Sequence, residues 1–323
     1  MYKIKLLTKI LAASLLLPFS LAKKKDKPNI VVMFADNLGY YDVSAFSDDP
    51  IFTSTPNIDR LAQEGTKFHH WNSGAVMCSP SRSALLTGKL PIRNGIYPVA
   101  FSEKAEYGLP LNETTIADYL KEEGYATSIV GKWHLGHSKK HYLPTKRGFD
   151  EWTGLPFHMA GGSIEEHICG VDVNETLWMP LYKNTKIVQQ PVRIQNLAQV
   201  YAKAATDFID KSVNEKKPFF LYMAFSHVHQ LCAPRFSSEQ GTCQWASTMF
   251  SSLSPVATFN ESVLEMDWIA GEILKQIEKS GLVDNTLVIF TSDNGPYISE
   301  QSCSGKKGPF QGVWYGHKTA KQL

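Results

Sequence analysis

The sequence predicts an α/β fold, a mostly parallel sheet sandwiched by helices. Continuous apolar runs of five to seven residues recur along the chain, as strands buried on both faces require. Longer segments with apolar residues at helical spacing lie between them, each closed by glycine or proline. Such alternation builds a parallel sheet with helices on both sides. The composition fits one large globular domain: 323 residues, 43% hydrophobic and 20% charged. Lys+Arg 33 against Asp+Glu 31 leaves +2, without the basic surplus of a nucleic-acid binder, so no nucleic-acid partner is expected.

Residues 1–22 read as a secretory signal. Lys3, Lys5 and Lys9 charge the front, 10–17 is apolar, and Ser20-Leu21-Ala22 sets small residues for cleavage after Ala22. An uncleaved anchor is the competing reading; the apolar stretch is short for it, and Lys23, Lys24 and Lys25 follow at once. No later run of 18 apolar residues occurs, so no membrane span is expected after signal removal. The remaining 23–323 reads as the folded unit. Asn112, Asn174 and Asn260 begin glycosylation sequons. Five cysteines, Cys78, Cys169, Cys232, Cys243 and Cys303, leave one set apart, and the other four allow three pairings.

Along that unit, 30–34 (Ile-Val-Val-Met-Phe) is the first strand. Thr55-Pro56 opens a helix that Gly65 closes. A short helix over 79–86 has Pro80 near its start and Gly88 at its end. A helix over 115–123 stops at Gly124, and 125–130 is the second strand. A helix over 197–213 precedes Pro218 and the strand 219–225. An amphipathic helix over 263–279 ends at Gly281 and leads to the strand 286–291. Residues 159–191 have little periodicity and read as an inserted loop region; 300–323 shows no clear element.

Polar residues follow every predicted strand: Asp36 and Asn37 the first, Lys132 and His134 the second, His227 and His229 the third, Asp293 and Asn294 the fourth. In parallel sheets ligands bind beyond the carboxyl ends of the strands, so these residues are expected on one rim. Asp36, Asn37, Asp293 and Asn294 form an all-oxygen set suited to Ca²⁺ or Mg²⁺ rather than zinc. Cys78 sits at a helix N-terminus, with the positive end of the helix dipole and Arg82 one turn on, a setting for a nucleophile that acts on an anion.

Two long strings carry a family resemblance. Cys78-Ser79-Pro80-Ser81-Arg82-Ser83-Ala84-Leu85-Leu86-Thr87-Gly88 resembles the first signature of the sulfatases, and Gly124-Tyr125-Ala126-Thr127-Ser128-Ile129-Val130-Gly131-Lys132-Trp133-His134 resembles their second. The similarity runs from about Pro28 to Lys321. It implies the fold shared by alkaline phosphatases and sulfatases, and hydrolysis of sulfate esters. It also implies that Cys78 is oxidised to Cα-formylglycine during secretion by a formylglycine-generating enzyme. The hydrated aldehyde would attack sulfur with one hydroxyl and the alcohol would leave; deprotonation of the other hydroxyl would then expel sulfate and restore the aldehyde. Arg82 lies within the first signature. One Ca²⁺ would sit among Asp36, Asn37, Asp293, Asn294 and residue 78. Lys132 and His134 match residues that contact substrate and residue 78, with His134 a candidate base. His229 matches a histidine that binds sulfate and protonates the leaving oxygen, whereas His227 reads as a core residue. The last cation of the family pattern has two candidates, Lys307 in Lys307-Gly308 and Lys321 in Ala320-Lys321-Gln322; Lys321 fits the pattern better, since Gly308-Pro309-Phe310 and Trp314 precede it. Sulfated sugars of glycosaminoglycans are the implied substrates, aryl sulfates their surrogates, and the lysosome or the extracellular space the implied location.

Three departures from the family pattern stand out. Asn37 replaces the second of two consecutive aspartates, which removes one negative charge. Around 155–159 (Leu-Pro-Phe-His-Met) the arylsulfatases carry Ser-His after an aromatic, where this chain has His158. The family's Gly-rich segment and small C-terminal domain have no counterpart before Leu323, so the folded unit reads as an incomplete catalytic domain. These departures keep a second expectation open, a non-catalytic or truncated sulfatase-like protein that binds sulfated glycans. A phosphoesterase on the same fold is disfavoured by Cys78-Ser79-Pro80-Ser81-Arg82, since such phosphatases place Ser or Thr at the nucleophile.

Overall fold

The computed structural model describes residues 27–48, 54–164, 177–231, 244–298 and 304–310. The expectations for the signal segment, Asn174, Lys321 and the other four cysteines lie outside these residues. In chain order the strands are β1 (Asn29–Ala35), β2 (Ala126–Gly131), β3 (Glu151–Gly154), β4 (Leu181–Lys183), β5 (Lys186–Gln189), β6 (Phe219–Ala224), β7 (Gln244–Trp245), β8 (Val256–Ala257) and β9 (Thr286–Ser292). The helices are α1 (Pro56–Glu64), α2 (Cys78–Thr87), α3 (Pro91–Asn94), α4 (Ile116–Glu122), α5 (Leu197–Asn214) and α6 (Phe259–Lys279).

Seven strands form the main sheet in the order β5-β4-β3-β2-β6-β1-β9. The pairs β3/β2, β2/β6, β6/β1 and β1/β9 are parallel, while β4 and β5 add an antiparallel hairpin. The predicted parallel sheet is therefore present. Its strands alternate between two cores, as a two-residue side-chain period demands. Val31, Met33 and Ala35 of β1 join one core with Phe219, Leu221 and Met223 of β6, against Phe208 of α5 and Met266 and Ile273 of α6. Val32 and Phe34, with Phe220 and Tyr222, join the other, which contains Leu86 of α2 and Ala117 of α4.

Helix boundaries follow capping chemistry. Thr115 accepts from the Asp118 N–H at 3.2 Å, and Asp118 accepts the Thr115 N–H at 2.9 Å. Thr258 and Glu261 form the same reciprocal box, so α6 begins four residues before its predicted start. The free N–H groups of Asn57 and Ile58 at the start of α1 donate to the Asp267 carboxylate on α6, at 3.2 and 2.9 Å, and this docks the two helices.

Residues 159–191, expected as loop, contain the β4–β5 hairpin. Its strands span only three and four residues and expose most of β5, so no apolar run marks them. Gly131 closes β2 at φ 103°, and a Cβ there would lie 1.9 Å from the Ala224 carbonyl oxygen of β6. Only glycine fits this approach, which turns the chain and delivers Lys132 to the rim. Asn112 and Asn260 are exposed. No described helix is long and apolar enough to cross a membrane.

Candidate active site

The four polar clusters meet on one rim because the backbone ladder continues past the strand ends. The Asp36 N–H donates to the His227 carbonyl at 2.7 Å, the Val228 N–H to the Asp36 carbonyl at 2.8 Å, and the Asp293 N–H to the Ala35 carbonyl at 3.0 Å. The Lys132 N–H donates to Ala224 at 2.7 Å. Loops after β1, β2, β6 and β9 are thus fixed to one another by main-chain bonds.

Helix α2 starts at Cys78, and its glycine C-cap, Gly88, is left-handed at φ 66°. The helix points Cys78 at the loop after β1, with Sγ 3.4 Å from Asp36 Oδ1. One turn on, Arg82 is fully buried. Its Nε and Nη2 both donate to Asp293 Oδ2, at 3.1 and 2.8 Å, and Nη1 donates to the Lys132 carbonyl at 3.2 Å. Arg82 Nη2 lies 3.6 Å from Asp36 Oδ1, and Lys132 Nζ donates to Asp36 Oδ2 at 2.6 Å. Two buried carboxylates and two buried cations therefore balance each other. Burial works against the Arg82 charge, but Asp293 and Asp36 more than offset it and raise its pKa. Burial first, then Asp36, pushes the Asp293 carboxyl up to about 6. Burial and Asp36 also push the Cys78 thiol well above its ordinary range.

The oxygen set is assembled as the sequence implied, with one rearrangement. Asn37 takes the left-handed φ of 62°, which Asn tolerates better than most residues. Its N–H donates to Asp293 Oδ1 at 3.1 Å, while its Oδ1 accepts from Asn294 Nδ2 at 2.7 Å. Asn294 Oδ1 is buried with no partner.

Three histidines line the other side. His134 Nε2 lies 2.8 Å from the Phe101 carbonyl. A carbonyl only accepts, so Nε2 carries the hydrogen and Nδ1, buried and unpartnered, carries the lone pair. His229 Nδ1 faces its neighbour's carbonyl, Gln230, at 3.0 Å, which leaves the lone pair on Nε2. His158 stacks on His229 with ring centres 4.7 Å apart and lies 5.2 Å from His134. Burial, then Lys132, holds His229 at about 3; burial also holds His134 and His158 well below the usual imidazole range. All three are neutral near pH 7.

Depressed imidazole pKa values contribute stability above the unfolded-state pKa of roughly 6.5 that is lost as pH falls toward the folded value. For His229 the loss at pH 5 is about 2 kcal/mol. Asp293, raised to about 6, works in the opposite direction and recovers part of it. Asp42, which burial pushes up to about 7, and Asp267 side with Asp293, while His137 sides with the three site histidines, so opposing contributions act on the metal-free protein between pH 7.5 and pH 5 and the histidine share is read by substitution. His158→Gln should raise the melting temperature at pH 5 relative to pH 7.5, compared with the unsubstituted protein, in thermal unfolding scans.

His227 is buried at the base of the site. Its Nε2 is 3.0 Å from Glu265 Oε1, and Glu265 Oε2 accepts from the Ser247 N–H and hydroxyl, both at 2.6 Å. Trp245 packs on the His227 ring at 4.1 Å, and its Nε1 donates to the His229 carbonyl at 3.1 Å. Sequence reasoning missed Glu265; the available signal was a carboxylate inside the apolar stripe of α6, between Ser262, Met266 and Ile269. Of the two lysine candidates, Lys321 lies outside the described residues. The segment bearing Lys307 is tied to the loop after β1: the Lys306 N–H donates to Asp42 at 2.7 Å, and the Tyr41 N–H donates to the Lys306 carbonyl at 3.0 Å. A separate cleft of about 500 Å³ at the amino end of β2 is lined by Lys121, Asp150, Glu151 and Lys211. Its charges are already paired, Lys121 with Asp150 and Lys211 with Glu151.

The chain is similar to known proteins over most of its length. The chain is 37% identical to human arylsulfatase G over 92% of its own length and 57% of that protein's, and 36% identical to human arylsulfatase A over 87% and 54%. It thus spans little more than half of these relatives. Among solved structures, Ps i-CgsB, crystallised with k-i-k-neocarrahexaose, matches with TM-score 0.71 and 30% identity over 89% of this chain and 62% of that one. The PsFucS1 sulfatase from Pseudoalteromonas sp. matches with TM-score 0.71 and 27% identity over 91% and 60%. A family model, Sulfatase, matches residues 28–321, and the chain therefore belongs to the Sulfatase family.

Proposed function

We propose that the protein hydrolyses sulfate esters, aryl sulfates in vitro and sulfated glycosaminoglycan sugars in vivo, after export and conversion of Cys78 to Cα-formylglycine by a formylglycine-generating enzyme. Its place of action would be the lysosome or the extracellular space. The observation that carries this reading is the position of Cys78: at the head of α2, 3.4 Å from Asp36, with Arg82 one turn away and Lys132 on the same carboxylate. The arylsulfatase names of the relatives support the reaction class.

The chain's donors fit a hard dication. Asp36, Asp293, Asn37 and Asn294 offer only oxygen, and Asn294 Oδ1 is buried without a partner. Ca²⁺ suits such donors, and it would supply polarisation of the sulfate group. Formylglycine would supply a hydrated aldehyde as nucleophile. The remaining work falls to side chains. Lys132 and His229 would bind sulfate oxygens, joined by a lysine from the last segment. The sequence pattern favours Lys321, whereas the anchoring of Lys306 beside the loop after β1 favours Lys307. His134 would take a proton at its free Nδ1 lone pair, since its low pKa keeps it neutral and ready. His229 must gain a proton before it can donate one to the leaving oxygen, and a sulfate anion beside it favours that uptake.

Asn37→Asp restores a carboxylate at a backbone conformation that Asp also tolerates. Calcium affinity depends on ligand charge, so titration calorimetry should give about tenfold tighter Ca²⁺ binding.

The test uses full chain from secretory cells. Mass spectrometry of the peptide bearing Cys78 should find formylglycine, and the protein should hydrolyse an aryl sulfate in Ca²⁺. Lys307→Ala and Lys321→Ala assign the last cation by which one raises KM. An unmodified thiol with no turnover would overturn the enzymatic reading in favour of a non-catalytic glycan-binding protein.

A further inference from the structure

In the thiol form of the protein, the same pocket carries a second donor set. Cys78 Sγ, a carboxylate oxygen of Asp36 and a ring nitrogen of His229 lie within 4.8 Å of one another, and all three residues are buried. We propose that the protein with unconverted Cys78 is a zinc site, with Asp36, Cys78 and His229 as ligands and a fourth position open to water or an anion. This inference goes beyond the sulfatase reading and does not depend on turnover.

Geometry supports it first. A tetrahedral zinc with oxygen at about 2.0 Å and thiolate sulfur at about 2.3 Å separates those two atoms by roughly 3.5 Å. Cys78 Sγ and Asp36 Oδ1 are 3.4 Å apart. Lys132 holds Asp36 Oδ2 at 2.6 Å, and Oδ1 has only Arg82 Nη2 at 3.6 Å besides the Cys78 sulfur, so Oδ1 is the oxygen that faces the thiol. The neutral His229 ring has one lone pair to give, and its Nδ1 hydrogen on the Gln230 carbonyl places that lone pair on Nε2. Trp245 fixes the backbone of His229 through its carbonyl, so the ring is presented by a supported residue.

Charge supports it second. Zinc binding displaces the thiol proton to solvent, giving thiolate, carboxylate and neutral imidazole around Zn²⁺; with Lys132, Arg82 and Asp293 the buried cluster then carries one positive charge, which an anion or hydroxide at the open fourth position offsets. The Arg82–Asp293 pair beside it stays intact. Donor softness separates this ion from the one in the converted protein: with sulfur present the pocket favours zinc, and once residue 78 bears only oxygen the hard-donor set remains. Conversion of Cys78 would therefore change which metal the pocket selects.

The experiment uses full chain made in a bacterial cytosol without the converting enzyme, its thiol verified by mass spectrometry, and titrated with Co²⁺ as spectroscopic probe. One equivalent should give an intense sulfur-to-cobalt charge-transfer band and strong four-coordinate d–d bands, with release of about one proton. One equivalent of Zn²⁺ should abolish the bands, and millimolar Ca²⁺ should not. Cys78→Ser, with folding checked by circular dichroism, should lack the charge-transfer band, and His229→Gln should weaken Co²⁺ binding at least tenfold. Absence of the band, its survival in Cys78→Ser through the other four cysteines, or indifference to His229→Gln would each overturn the three-ligand site. None of these results bears on sulfate ester hydrolysis by the converted protein, so the two proposals fail separately.

Discussion

Arg82→Leu is expected to destabilise the fold by about 3–5 kcal/mol, the usual consequence of stripping one partner from a buried ionic cluster. The guanidinium has no exposure and satisfies Asp293 Oδ2 twice, the Lys132 carbonyl once and part of Asp36. Leucine would fill much of the volume but leave Asp293 and Asp36 facing each other with only Lys132 between them. Urea unfolding at pH 7.5 measures the loss. Adding Asp293→Asn should recover part of it, because the orphaned charge disappears with the second change, and the pair should be markedly non-additive. A loss below about 1 kcal/mol would mean that the cluster is open to water and that the buried-charge account is wrong.

The second large effect concerns rate. In converted protein at saturating Ca²⁺, His134→Gln should lower kcat on an aryl sulfate by about 10²–10⁴-fold, the range for loss of a positioned base. KM should change little, since Lys132 and His229 remain. Glutamine can still donate to the Phe101 carbonyl, so the variant keeps the loop while losing the basic Nδ1. His134 sits at φ 57°, a region His visits more readily than Gln, so folding of the variant is checked by circular dichroism before kcat is compared. If kcat is unchanged, the proton of the second step goes elsewhere.

The buried strands of the parallel sheet were legible because both their faces meet a core. β1 and β6 each carry an apolar run that needs no partner to be recognised, whereas β9 lies at the sheet edge with Leu287 and Ile289 exposed and was readable only from its short stretch 287–290. The hairpin β4–β5 was not legible: it lies at the sheet edge, and β5 is largely exposed, so edge position rather than hydrophobicity makes it a strand. Site residues were readable where they belong to contiguous strings, as Cys78 and Arg82 or Lys132 and His134 do. His158 was noticed as a departure, but its stacking on His229 joins residues 71 positions apart and has no local signature. Glu265 was missed for a related reason: a helix pattern scored by apolar spacing treats one carboxylate as a blemish. The arrangement at Asn37 also depends on tertiary contact, since its side-chain oxygen is taken by Asn294 in the loop after β9.

The main-chain bonds that extend the sheet past its strand ends have a consequence for how the rim opens. The amides of Asp36, Val228 and Asp293 are held by carbonyls of neighbouring strands, so their hydrogens should exchange with deuterium as slowly as those of the central strands, by global rather than local opening. Chemistry mounted this way cannot loosen one residue at a time. Insertions in the outer loops can then reshape what enters while the reactive centre keeps its dimensions.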